Sequence, residues 1–141
     1  MANKPEQDDP KTAEEAYAAA ERLIADAKAS NATELAVQFR LLERLPPSIG
    51  GLPALQRLSL TGTQVAHLGP LAGLTALQRL WLDRTPVADL EPLAGLTSLE
   101  QLSLDLASVK DLAPLAGLTG LQALSLTDTR VSDLAPLAGS R

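Results

Sequence analysis

The chain has 141 residues, which fits one domain with a modest core and leaves no room for two ordinary ones. Hydrophobic residues make up 45% of the sequence and aromatic residues only 2%, so we expect an aliphatic core and almost no platforms for stacking nucleic-acid bases. There is no cysteine, which excludes disulfides, thiolate nucleophiles and cysteine-based zinc sites, and the net charge of −5 is opposite in sign to what DNA attracts.

Residues 1–11 are polar and contain two prolines, which predicts a flexible N-terminal segment. This segment lacks the basic start, apolar stretch and small-residue cleavage site of a secretion signal, and no run of 18 apolar residues occurs in the chain. We therefore expect a cytoplasmic protein that has no membrane partner.

The next segment, residues 12–31, is predicted to be a capping helix. Thr12, followed three residues later by Glu15, is typical of a capping box. The polar face is net acidic and the apolar face is mostly alanine, so a cap over the open end of a repeat array is favoured over a partner-binding or membrane-surface helix. The apolar residues that recur at helical spacing are Ala16, Tyr17, Ala20, Leu23, Ile24 and Ala27.

Residues 32–141 consist of repeats. Four 22-residue segments align without gaps from Leu52 onward, beginning with LPALQRLSLTGTQVAHLGPLAG, and a divergent unit precedes them. Each unit contains a triplet such as Leu58-Ser59-Leu60, whose alternation predicts a short strand with its leucines on one face. Because a unit of this size cannot enclose its own leucines, neighbouring units must stack into a solenoid.

Each predicted strand is followed by a return path with recurring prolines, glycines and acidic residues. We expect the proline to begin a single helical turn and the glycine to provide its left-handed exit. A carboxylate before this turn is expected to accept a backbone N–H group, and His67 is a structural variant at that place. The residues are Pro70, Pro92, Pro114 and Pro136; Gly73, Gly95, Gly117 and Gly139; and Asp89, Asp111 and Asp133.

The pattern LxxLxLxxTxV, followed by xDLxPLAGL, resembles the leucine-rich repeat family, specifically the bacterial 22-residue type of internalin-like proteins. The resemblance covers roughly residues 32–139 in five units. It implies an α/β solenoid: a right-handed coil with a short parallel concave sheet of about five strands, turns on the convex side, and a role in binding other proteins. Arg40 and Ala107 replace the threonine expected after the strand in two units, so we expect local irregularity at both turns.

The concave face should carry recognition, because the leucines are committed to the core. Trp81 lies between two inward leucines, which predicts an indole facing solvent, and a tryptophan beside arginines is typical of an interface hot spot. The alternative is that the ring lies across Ser59 and Ser103 on an arginine stem and binds nothing. The candidate partner-binding residues are Arg57, Arg79, Trp81, Asp83, Arg84, Gln101 and Asp105.

Two other surface features leave their interpretation open. Residues 32–84 carry five basic and three acidic side chains, whereas residues 85–141 carry three basic and seven acidic ones. This gradient either steers a dipolar partner or serves only solubility. Phe39 and Leu106, just beyond their strands, either extend a binding patch or tuck under a neighbouring turn.

Enzymatic chemistry is not predicted. His67, the only histidine, lies on the return path across the core from the serines of the concave face, so no catalytic triad can assemble. Asp83 and Asp105 lie one unit apart on an open face, where their pKa values have no reason to separate. The sequence therefore predicts no catalytic residues, no metal site and no cofactor.

The predicted function is a non-enzymatic interaction module that binds a protein or peptide on its concave face. That face measures about 500 Å² by strand spacing, below the roughly 800 Å² per partner of a standard interface. One alternative is a sensing or scaffold fragment of a larger signalling protein, because the helix and LERLPPSIGGLPAL resemble repeat domains joined to Roco GTPases or TIR-type receptors. Another is self-association through the C-terminal edge, where the sequence shows no polar capping segment.

Overall fold

In the part of the chain that the structure describes, one helix and five strands follow each other in the order of a stacked array. The structure is a computed structural model that describes residues 10–131. All five strands form one parallel sheet in sequence order, so each unit adds a strand beside its predecessor and the predicted solenoid is confirmed. The elements are α1 (Ala13–Ala29), β1 (Glu34–Ala36), β2 (Arg57–Ser59), β3 (Arg79–Trp81), β4 (Gln101–Ser103) and β5 (Ala123–Ser125). Most of the predicted flexible segment lies outside the described residues. Of the predicted C-terminal edge, the structure describes the strand β5, whereas residues 132–141 lie outside.

The leucines of the strands are in register across the sheet. Leu35 is aligned with Leu58, and the same column continues through Leu80, Leu102 and Leu124. The three central members are buried, whereas the two at the ends of the column are half-buried. Each fully buried leucine contributes about 1.5–3 kcal/mol of apolar burial. Burial therefore requires a coil on each side, as the repeat length predicts.

The convex side carries one 3₁₀ turn in each of the first four coils: Pro47–Gly51, Gly69–Leu71, Glu91–Leu93 and Ala113–Leu115. Pro70, Pro92 and Pro114 lie in three of these turns, but as the second residue rather than the predicted first; at that position the missing N–H still costs no hydrogen bond. The predicted carboxylate bonds are also present. The Asp89 Oδ1 atom accepts the N–H of Glu91, and Asp111 Oδ1 accepts that of Ala113, both at 2.9 Å. Pro136 and Asp133 lie outside the described residues.

The left-handed residue of each coil is not the predicted glycine after the 3₁₀ turn. Gly73, Gly95 and Gly117 have no positive φ, because the chain continues through right-handed turns. One such turn is closed by the Leu74 N–H and the Leu71 carbonyl at 3.0 Å. The left-handed positions instead follow the strands, at Gly62 (φ 81°), Arg84 (59°), Leu106 (61°) and Asp128 (58°). Gly139 lies outside the described residues.

Turns at these strand exits are closed by backbone and threonine hydrogen bonds. The Oγ1 atoms of Thr63, Thr85 and Thr129 donate to the carbonyl three residues earlier, at 2.9, 2.7 and 2.9 Å. Ala107 lacks this bond, yet its N–H donates to the Leu104 carbonyl at 3.0 Å and the turn keeps its shape. The predicted irregularity is therefore wrong at Ala107, because the backbone bond suffices.

The first coil does differ at its strand exit, as predicted for Arg40. Arg40 is exposed, whereas the equivalent Thr63 is buried. The turn bond is displaced, with the Leu42 N–H donating to the Phe39 carbonyl at 2.9 Å, and Phe39 has no positive φ.

Helix α1 covers the first coil by packing on its 3₁₀ turn and on β1. The Thr12 Oγ1 accepts the N–H of Glu15 at 3.0 Å, but the Glu15 carboxylate accepts the N–H of Lys11 rather than that of Thr12. The buried face consists of Ala16, Ala19, Ala20, Ile24 and Ala27, which confirms the predicted N-terminal helix on the array. Among residues 10–131 there is no helix with the length and apolar character needed to cross a membrane.

Candidate partner-binding site

Three columns of side chains face outward from the concave side of the sheet. The first column begins the strands and consists of Glu34, Arg57, Arg79, Gln101 and Ala123. The second column ends the strands and consists of Ala36, Ser59, Trp81, Ser103 and Ser125. The third column follows the strands and consists of Gln38, Thr61, Asp83, Asp105 and Thr127.

Trp81 is the one large apolar side chain in these three columns. Its neighbours in register are Ser59 and Ser103, and the residue is half-buried. The indole stands between two shallow hollows and contributes to the wall of both. Within the described part of the chain, the arginine that stacks on an aromatic ring is Arg44, 3.9 Å from the centroid of Tyr17. No arginine guanidinium among residues 10–131 is placed in this way over the Trp81 ring.

On the β1 side of the indole lies a hollow of about 450 Å³ that we call the basic hollow. The Arg57 guanidinium and the Glu34 carboxylate are 3.4 Å apart there, with 45% and 67% of their side chains exposed. Arg79, half-buried beside Arg57, makes no ion pair with any residue in 10–131. The lining residues are Glu34, Leu35, Ala36, Arg57, Ser59, Arg79 and Trp81.

On the β5 side of the indole lies a smaller hollow of about 280 Å³, the polar hollow. Its lining carries no charged side chain: Trp81, Gln101, Leu102, Ser103, Ala123, Leu124 and Ser125. The two sides of Trp81 therefore differ in charge although the indole is common to both.

Aspartates of the third column bind the next coil. The Asp83 Oδ1 atom accepts the Ser103 hydroxyl at 2.5 Å and the Asp105 N–H at 2.9 Å. Asp105 repeats the arrangement one coil later, accepting the Ser125 hydroxyl at 2.5 Å and the Thr127 N–H at 2.8 Å. We call this set of four side chains, Asp83, Ser103, Asp105 and Ser125, the Asp–Ser ladder.

The Asp–Ser ladder does not continue from the coil that contains Trp81 to the coil before it. Trp81 replaces the serine that would donate, and Thr61 replaces the aspartate that would accept. In the coil before, the Gln38 amide donates to the Ser59 hydroxyl at 2.6 Å, which is the same diagonal contact with donor and acceptor reversed.

The ladder's hydrogen bonds lower the pKa of Asp105 below its usual value of 3.8. The Ser125 hydroxyl contributes most and the Thr127 N–H next, because both stabilise the ionised carboxylate, while desolvation opposes them. Asp105 is therefore ionised at neutral pH and acts as a fixed acceptor.

The seven sequence-predicted site residues fall into three places. Arg57, Arg79 and Trp81 meet in the basic hollow, and Gln101 lies across the indole in the polar hollow. The other three lie near the ends of the strands, in a hollow lined by Thr61, Asp83, Arg84, Asp105, Leu106, Thr127 and Asp128.

The structure determines the positions of two further residues, Glu34 and Leu106, whose roles the sequence did not decide. Glu34 was not a candidate, yet it lines the basic hollow and pairs with Arg57, and its position in the same column was the available signal. Leu106 is 49% exposed at the rim, whereas Phe39 packs partly against the core. Of the two apolar residues beyond strands, Leu106 is therefore the more exposed.

Nothing in the described geometry assembles the groups of a reaction centre. His67 is exposed on the return path, away from the serine column. Residues 10–131 contain no cluster of three or more histidine, cysteine or acidic side chains able to hold a metal ion. The serines nearest to aspartates donate to carboxylates whose Oδ1 atoms are also held by backbone N–H groups.

Solved structures of bacterial repeat proteins match this architecture. Internalin C2 from Listeria monocytogenes matches with a TM-score of 0.64 and 37% identity, over 71% of this chain and 48% of that one. Internalin F from the same organism matches with a TM-score of 0.70 and 31% identity, over 76% of this chain and 32% of that one. The chain is a leucine-rich repeat protein of the internalin-like type. It spans less than half the length of either internalin structure.

The leucine-rich repeat fold also relates the chain to a plant protein. A plant peptide hormone receptor, RGFR1, solved in complex with RGF2, matches with a TM-score of 0.68 over 83% of this chain and 20% of the receptor. At 20% identity, this match shows the fold alone. No family model and no curated protein sequence matches the chain. As a leucine-rich repeat protein, it has a fold that supports protein interaction in general.

Proposed function

We propose that the chain is a non-enzymatic interaction module that binds a protein or peptide segment on its concave face around Trp81. The observation that carries this proposal is the half-buried indole between two hollows, in a column whose other members are serine and alanine. A tryptophan presents a large rigid apolar surface at a low cost in conformational entropy. Such residues, flanked by arginine, dominate the binding energy of many interfaces.

Candidate contacts around Trp81 have separate roles in this proposal. Arg57 and Arg79 supply charge on one side of the indole, and Gln101 supplies uncharged hydrogen-bonding groups on the other. Asp83, Asp105 and Arg84 contact the partner at the rim beyond the strand ends. Asp83 and Asp105 each use Oδ1 within the Asp–Ser ladder, so only Oδ2 is offered to a partner.

The size of the concave face favours a short segment as the ligand. About 500 Å² of sheet surface, estimated from strand spacing, is less than the roughly 800 Å² that a standard partner covers. An extended or turn-shaped peptide fits this area. The plant receptor that shares the fold is solved with RGF2, which supports the proposal by analogy of fold only.

Peptides selected from a random display library against the wild-type chain test the proposal. Their dissociation constants are then compared for the wild type, Trp81→Ser and His67→Asp. The serine variant carries the residue that the neighbouring coils have at this position. The aspartate variant carries the residue found at the equivalent positions of the return path, Asp89 and Asp111, so both variants should stay folded. We expect Trp81→Ser to weaken binding at least tenfold, because hot-spot truncations cost about 2 kcal/mol or more. We expect no change for His67→Asp. Equal affinity for wild type and Trp81→Ser would remove the proposed site.

A further inference from the structure

We infer that the basic hollow takes an acidic side chain of the partner, with an apolar residue next to it on the Trp81 indole. This inference rests on the proposed function and adds the chemical class of the ligand. The occupant is an Asp or Glu side chain in a peptide segment, and the argument comes from the unbalanced positive charge of the hollow.

Arg57 and Arg79 form a like-charge pair on neighbouring strands. They are aligned in register, which places their backbones about 4.8 Å apart. Like charges directly opposite each other in a sheet are destabilising. A carboxylate bound between the two guanidinium groups would offset this repulsion.

Glu34 compensates this charge only in part. Its contact with Arg57 is a single one at 3.4 Å between largely exposed side chains, which makes it a weak pair. Arg79 has no ion pair within the described residues, and its guanidinium can donate two parallel hydrogen bonds to one carboxylate. Two arginines and one glutamate leave the hollow with a formal charge of +1.

Other acidic groups near the indole do not cancel this charge. Asp83, two positions beyond the end of the strand that carries Trp81, does not line the basic hollow but the hollow beyond the strand ends, where the Ser103 hydroxyl and the Asp105 N–H hold its Oδ1 atom. The polar hollow across the indole has no charged lining residue that would attract a carboxylate. A ligand that places an apolar side chain on Trp81 therefore gains from a carboxylate on the β1–β2 side and not on the β4–β5 side, which fixes its direction across the sheet.

A selection from synthetic peptides with acetylated N-termini and amidated C-termini tests the inference, because only side chains then carry carboxylates. Peptides that bind the wild-type chain and lose affinity for Trp81→Ser are sequenced. We expect Asp or Glu within about three residues of an apolar residue in the selected set. Replacing that acid by its amide should weaken binding about tenfold or more, as for the loss of a hydrogen bond to a charged group.

A double-mutant cycle locates the carboxylate. Arg79→Gln should weaken binding of the acidic peptide by a similar factor and leave binding of its amide version unaffected. The control, Arg130→Gln, removes the same charge from an exposed position outside the hollow and should change the binding of neither peptide. Raising the salt concentration should weaken binding of the acidic peptide more than binding of its amide version.

The outcomes separate the inference from the proposed function. Peptides that depend on Trp81 but show no acidic residue, or that respond equally to Arg79→Gln and Arg130→Gln, would overturn the inference and leave the proposed function in place. Selected peptides that bind wild type and Trp81→Ser equally would overturn both.

Discussion

The two halves of the concave face use their polar side chains differently. From β3 to β5, the aspartates of one coil accept hydrogen bonds from the serine and backbone of the next. From β1 to β3, the charged groups are two aligned arginines of which one has a weak, exposed partner. The first set holds the coils together, while the second leaves hydrogen-bond donors available to a ligand. Trp81 lies at the boundary and belongs to both hollows.

Charge alone is therefore a poor guide to a binding site on a repeat surface. Asp83 and Asp105 are as prominent in the sequence as Arg57 and Arg79. Their Oδ1 atoms are nevertheless already engaged within the chain, which leaves one oxygen of each carboxylate to a partner, whereas the Arg79 guanidinium has no carboxylate partner in residues 10–131. Recognition is expected where polar groups have not been satisfied internally.

The largest effect should come from the core shared by both halves. Leu80→Ala under the basic hollow and Leu102→Ala under the Asp–Ser ladder each remove a buried leucine from the aligned column. Each should lower the free energy of unfolding by about 2–5 kcal/mol. Urea denaturation measures both values. If only one of the two shifts the midpoint, the two halves do not share one cooperative core.

A smaller effect should distinguish the halves directly. Asp83→Ala removes the acceptor for the Ser103 hydroxyl and the Asp105 N–H, whereas Thr61→Ala at the equivalent position removes only a weak contact from Ser59 within its own coil at 3.4 Å. We expect a loss of about 1–2 kcal/mol for Asp83→Ala and less than about 0.5 kcal/mol for Thr61→Ala. Equal losses in thermal or urea unfolding would contradict a structural role of the ladder.

Transplanting the ladder should erase the difference between the halves. Trp81→Ser combined with Thr61→Asp places an acceptor and a donor where the ladder is interrupted, and the Asp83 N–H becomes a second donor. The double variant should be more stable than Trp81→Ser alone by about 0.5–1.5 kcal/mol. A double variant no more stable than the single one would show that the diagonal pair is not sufficient to form the bond.

The smallest effect is a pH dependence. Because the pKa of Asp105 is lowered in the folded chain, its stabilising contribution is fully present above the unfolded value of about 4 and is lost as the pH falls through the lowered value. Asp105→Asn lacks this titration. The stability difference between wild type and Asp105→Asn should therefore shrink as the pH is lowered from 6 to 2 in urea titrations, and a constant difference would contradict the assignment.

Much of the architecture could be predicted because it follows from the core. The alternation at Leu58 and Leu60, repeated at a fixed period, determines strand, register and stacking without knowledge of any side-chain contact. The bonds of Asp89 and Asp111 were equally accessible, since donor and acceptor are two residues apart.

What escaped prediction depends on contacts between coils or on competition between turns. The Asp–Ser ladder joins residues 20 positions apart. The sequence pattern that could have predicted it is a serine 20 residues after Asp83 and after Asp105, whereas Thr61 is followed at that distance by Trp81. The glycine rule placed the left-handed residue after the 3₁₀ turn. Hydrogen bonding at the strand exit instead imposes positive φ on Arg84 and Leu106, which composition does not reveal.

The diagonal direction of the Asp–Ser ladder also governs how such a protein can grow by gene duplication. Residues 83–104 contain both the aspartate and the serine of one ladder bond. An extra copy inserted after the original therefore brings its own pair and leaves the original pair intact, so the array lengthens with every inter-coil bond reproduced. An extra copy of residues 61–82 adds a second tryptophan without any ladder bond. Extension therefore comes readily in one part of the chain, while the aromatic coil stays single.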